Sequence, residues 1–149
     1  MAQSRDMPVI VVHSLAHAVA ALQAAAEAGT PVTLASAPEA GIYAGPGWFR
    51  ELVEAARISV PAARSAALLD CGDDAGAAQA AIRFGVEAVI FAGRADVARR
   101  LADIAGHSDV RLLTERPAVA LDLAGDFFED PDGLRRRCAD VLASPPPFC

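Results

Sequence analysis

Short apolar runs alternate along this chain with longer, alanine-rich stretches of helical spacing, and the pair recurs at intervals of roughly 25 to 30 residues, the repeat of a βα unit. Residues 8–13 read as the first strand and 15–28 as the first helix, stopped by Gly29. A second strand follows at 31–36. The segment 37–47 is a loop rich in glycine and proline, and helical spacing resumes over 48–56. Residues 65–69 form a third strand, and 73–85 a helix with an acidic start and a glycine stop. The pattern continues with a strand at 86–93, a helix at 96–105, a strand at 110–113, a sixth strand over 118–123 and a closing helix at 132–143. The expected fold is α/β, with repeated βα units and a parallel sheet of five or six strands in one domain, 1–143. The proline-rich tail 144–149 cannot continue a helix.

Composition narrows the function. The 149 residues can bury one sizeable core but fall well short of the roughly 250 of an eight-stranded α/β barrel. More than half of the chain is apolar, yet no run approaches the ~20 residues of a membrane span, and the N-terminus lacks a signal-peptide pattern. A cytoplasmic protein without membrane contact is the expectation. A net charge of −6 with scattered arginines argues against nucleic-acid binding. The run Arg135-Arg136-Arg137 reads as a solvated helix face. The chain contains no lysine, which excludes Schiff-base chemistry and a P-loop. Its three cysteines, Cys71, Cys138 and Cys149, form no CxxC pair.

Candidate chemistry concentrates at the end of the third strand, where Asp70, Cys71 and Gly72 follow an apolar run. Strand carboxyl ends in parallel sheets point side chains into the ligand crevice. Asp70 is a candidate general acid or base, with a loop-capping carboxylate as the alternative. Asp73 and Asp74 read as helix-start acids. Cys71 is a candidate nucleophile or metal ligand, and otherwise a buried thiol. His13, at the end of the first strand, opens into the same crevice, so Cys71 and His13 are the candidate metal ligands. His17 lies four residues further on and shares a helix face with His13 if the helix begins early. Gly93 and Arg94, after the fourth strand, are the anion-binding candidates, through backbone donors and a guanidinium. Glu39, Tyr43, Trp48, Phe49 and Arg50 border the crevice from the long loop, as ligand cover or core anchors.

Three segments of the first ~95 residues carry a family resemblance. Residues 31–34 lead into Tyr43-Ala44-Gly45, Leu68-Leu69-Asp70-Cys71-Gly72 forms a strand end, and Ala81-Ile82-Arg83-Phe84-Gly85 closes a helix before the next strand. Their order and spacing resemble the N-terminal half of the class II, zinc-dependent fructose- and tagatose-bisphosphate aldolases. The resemblance implies part of a TIM barrel, with Asp70 as the aldol acid/base and Cys71 in place of a histidine that binds zinc. It also implies a phosphorylated small molecule as ligand. The departures are substantial. The family's strand-one asparagines correspond to Val11, His13 and Ser14, and the serine after strand two to Ala37. Beyond residue 95 only His107 is available as a histidine ligand, and the glycine-rich phosphate loops have no counterpart. The expectation is a truncated, non-catalytic relative acting as a small-molecule-binding or interaction module, without a cofactor. It would form a homodimer to cover the open sheet. The alternative is a zinc-dependent lyase.

Overall fold

The computed structural model describes residues 7–143 and builds them into a parallel six-stranded sheet. The strands are β1 (Val9–Val11), β2 (Val32–Ala35), β3 (Ser65–Asp70), β4 (Ala88–Ile90), β5 (Arg111–Leu113) and β6 (Leu121–Asp122). The helices are α1 (Leu15–Ala28), α2 (Ala40–Tyr43), α3 (Pro46–Ser59), α4 (Ala75–Phe84), α5 (Ala95–His107) and α6 (Pro131–Ala143). Strand order is β5-β4-β3-β2-β1-β6, every neighbouring pair parallel. From β1 to β5 each strand lies beside its predecessor. Such one-way winding is that of a barrel wall, since right-handed crossovers repeated in one direction place the helices on one side.

Local signals set the element limits. Ser14 caps α1, its hydroxyl accepting from the His17 N–H, and Gly29 ends the helix at φ 66° with its N–H on the Ala25 and Ala26 carbonyls. Asp74 caps α4 by accepting from the Ala77 N–H, and Gly85 ends it at φ 77°. The strands are shorter than the apolar runs that predict them, because only three or four residues of most runs find ladder partners. Two elements differ further. The loop 37–47 contains α2 and the start of α3, and the sixth run pairs only at Leu121–Asp122 before turning into a 3₁₀ segment, Leu123–Asp126.

Side-chain alternation splits the sheet into two faces. Ile10, Val12, Leu34, Leu69, Val89 and Phe91 join the main core under the helices. On the opposite face, Val9, Val11, Ala35, Leu68 and Ile90 form a second, smaller cluster. A closed barrel would bury that face in its interior. In this chain residues 114–120 run from β5 at one edge of the sheet to β6 at the other, and Pro117 and Ala118 lie against the concave face. This helix-free strap therefore covers, from within the chain, part of the face for which the sequence suggests a dimer partner. Arg116, in its middle, reaches the strand ends.

Candidate functional site

Asp70 lies at the carboxyl end of β3, has the parity of Leu68, and is buried. A carboxylate removed from water needs donors to replace its hydration. Oδ1 accepts from the Gly72 N–H at 2.8 Å, and Oδ2 accepts from Arg116 Nη1 at 2.5 Å. Arg116 also donates through Nη2 to the Ser36 carbonyl at 3.4 Å. Ser36, at the end of β2, accepts from the Asp70 N–H at 2.9 Å and donates to the Ala37 carbonyl. The first turn after β3 needs Gly72, whose φ is 56° and whose missing Cβ leaves room for Glu39 Cγ, 3.0 Å away from where it would stand.

Beside this pair, β1 and β6 bring together a second polar group. His13 Nε2 lies 2.6 Å from Asp122 Oδ1. Burial alone would raise the Asp122 carboxyl. The hydrogen bonds from His13 and the Ala124 N–H, with the charges of His13 and Arg116, outweigh it and hold the group below its ordinary range. His17 lies in the first turn of α1, fully buried, and its Nδ1 accepts from the His13 N–H at 3.0 Å. That bond places the imidazole proton of neutral His17 on Nε2, the one buried side-chain N or O atom among the described residues without a hydrogen-bond partner. Rings of His13 and Phe127 stand edge-on at 5.8 and 5.7 Å. Burial, then the His13 charge, lowers the His17 pKa, against weaker opposing contributions from Asp126 and Asp122.

The structure does not bring Cys71 to Asp70's side of the sheet. One residue further on, the side chain turns into the main core, fully buried. Its Sγ lies against Gly41 of α2, where a Cβ would stand 2.6 Å from the sulfur. Burial, with the neighbouring Asp70 and Asp74 charges, pushes the thiol up to about 12, so no thiolate forms near neutrality. His13 is engaged with Asp122 instead, and no group of three metal-ligating side chains occurs among the described residues. Arg94 is largely exposed and bonds Asp96 at the start of its own helix, while Gly93 lies against the Phe91 ring, 2.4 Å from where its Cβ would be. His17 is buried at the N-terminal end of α1, Phe49 anchors α3 in the core, and Tyr43 and Trp48 are exposed. Arg50 donates to the Phe84 carbonyl and His107 bonds within α5.

Two participants were not legible in advance. Asp122 belongs to an apolar run that reads as strand, and only its pairing beside β1 brings it to His13. A buried Asp70 calls for a cation, but the sequence does not say which of thirteen arginines supplies it.

No protein-family model matches the chain, and no curated protein matches its sequence. Among solved structures, 41 chains match. One is the crystal structure of a "putative fructose-1,6-biphosphate aldolase" from Coccidioides immitis, 17% identical with a TM-score of 0.59. The match covers 71% of this chain but only 39% of that one. The fold is therefore aldolase-like, an α/β arrangement with a parallel sheet. Among the described residues, no helix is long and apolar enough to cross a membrane.

Proposed function

We propose that this chain is a non-catalytic module on an aldolase-like fold, one that binds a small molecule without turning it over. The observation that carries this reading is the pinning of Asp70. A general acid or base must meet the substrate's proton within hydrogen-bond reach. Here both carboxylate oxygens already accept, one from Gly72 and one from Arg116. The adjacent thiol, turned into the core, supplies neither nucleophile nor metal ligand at the crevice. Self-association belongs to the same proposal, because Phe128 and half-exposed Phe127, which follow the short edge strand β6 and its 3₁₀ segment in the chain, leave apolar rings in solvent. Sedimentation at increasing concentration measures it.

The test of the catalytic question is direct. The protein is incubated with fructose 1,6-bisphosphate and, separately, tagatose 1,6-bisphosphate, with and without added zinc, and triose phosphate is followed by a coupled assay. The expected result is no turnover, with or without Arg116. Zinc-dependent cleavage that disappears in Asp70→Asn would establish the lyase reading in its place.

A further inference from the structure

Between α3 and the end of α4, in the helix layer and beside the amino end of β4, lies a half-open cavity of about 290 Å3. Phe49 and Val53 of α3, with Val86 just after α4, are buried and form its apolar floor. Four charged side chains stand around it, and two of them neutralise each other. Arg57 donates to both carboxylate oxygens of Glu87 and to the Ser65 hydroxyl and carbonyl, while Glu87 also accepts from the Ala67 N–H. The other two are Arg50 and Glu54, both exposed and one helical turn apart on α3. They do not pair. Arg50 is drawn across the seam to the Phe84 carbonyl, 2.9 Å away, where the negative end of the α4 dipole attracts a cation. That acceptor is neutral and takes one N–H of a guanidinium that has five, so the charge of Arg50 stays uncompensated. Among the described residues, no carboxylate lies within ion-pair distance of Arg50, and Glu54 makes no hydrogen bond or ion pair.

We infer that this cavity is a binding site for a free α-amino acid with an apolar or aromatic side chain. Charge argues for the zwitterion. A simple anion would satisfy Arg50 but face Glu54, and a simple cation would satisfy Glu54 but face Arg50, whereas a molecule carrying both signs meets each with its opposite. The carboxylate fits the guanidinium fork of Arg50, already held in place by the Phe84 carbonyl, and the ammonium reaches Glu54 one turn further along the helix. The side chain then lies on Phe49, Val53 and Val86. Size agrees, because the cavity is about twice the roughly 150 Å3 that holds one benzene ring, enough for about ten to twelve non-hydrogen atoms. The site is separate from Asp70, which lies at the carboxyl end of β3 and faces the strap. This inference gives the binding role proposed above a place and rests on it, but not on the lack of catalysis.

The experiment uses the full chain and three probes of one shape: L-phenylalanine, 3-phenylpropanoate, which lacks the ammonium, and phenethylamine, which lacks the carboxylate. Binding is followed by calorimetry and by amide NMR shifts. Phenylalanine is expected to bind one per chain with Kd near or below about 1 mM and to move the amides of α3 and residues 85–87, and each single-charge probe to bind about tenfold more weakly. Arg50→Gln is expected to weaken phenylalanine about tenfold and leave phenethylamine no weaker. Glu54→Gln is expected to weaken phenylalanine by a similar factor and leave 3-phenylpropanoate no weaker. Arg50→Gln also loses the contact with Phe84, so should that variant fail to fold, Glu54→Gln, which breaks no bond among the described residues, makes the measurement alone. The proposal is overturned if phenylalanine does not bind at about 10 mM, if either single-charge probe binds as tightly as phenylalanine, or if Glu54→Gln binds phenylalanine as well as the parent. Triose phosphate formation in the aldol assay would defeat the non-catalytic reading and leave these outcomes standing; failure of phenylalanine to bind would do the reverse.

Discussion

Cys71 and Asp70 show how one step along a strand decides chemistry. Adjacent side chains face opposite sides of a sheet, so the acid faces the strap and the thiol enters the helix layer. The strand end itself is visible in the sequence, but the parity is not, since the apolar run before it has no polar residue to mark a face. The close fit around the sulfur is testable. Gly41→Ala would place a methyl 2.6 Å from Sγ and 3.0 Å from the Asp70 carbonyl oxygen, and a cost of about 2 kcal/mol is expected from denaturant unfolding. Cys71→Ala removes the sulfur and should recover much of that loss in the double variant, a coupling that independent sites would not show. His17 supplies a second prediction at this scale. Its folded pKa is lowered, chiefly by burial, so as pH falls through about 6.5 the unfolded chain takes up a proton that the folded chain does not. Stability should therefore decline from pH 7 toward pH 5. His17→Gln, still able to accept from the His13 N–H, should flatten that part of the curve. Asp122, whose folded pKa is lowered, contributes separately, its share being lost only as pH falls below the ordinary carboxyl range.

The element that matters most is the strap, and it was the least legible. Residues 114–120 contain no periodic pattern, and the sequence divides them between a connection and the start of a sixth strand. Their path is set by two anchors. The Ala120 N–H donates to the Val9 carbonyl at 2.8 Å, and Arg116 bonds Asp70. Removing Arg116 leaves a buried carboxylate without its cation. Because the Arg116 side chain is 28% exposed, solvent screens the pair, and Arg116→Ala is expected to cost about 2–3 kcal/mol, below the range of fully buried pairs. The loss should shrink when Asp70→Asn is added, since a neutral amide still accepts from Gly72. An unchanged deficit in the double variant would mean that Arg116 acts through packing of the strap and not through charge.

For the whole molecule, the βα repeat carried the fold. Gly29 and Gly85 mark two helix ends, and six apolar runs mark six strands, so the class and sheet type follow from the sequence. Strand order is less accessible, because the displacement of β6 to the far side of β1 depends on where an unpatterned connection crosses. That displacement also has a consequence for how the chain acquires its structure. Pairing from β1 to β5 joins neighbours in sequence, whereas Ile10 meets Leu121 across nearly the whole chain. Local pairings form readily and distant ones wait on loop closure. During synthesis five strands can assemble while their concave face is still bare, and protection arrives only as residues 114–122 leave the ribosome. Nascent chains halted before that point would be the ones most prone to stick to chaperones or to each other.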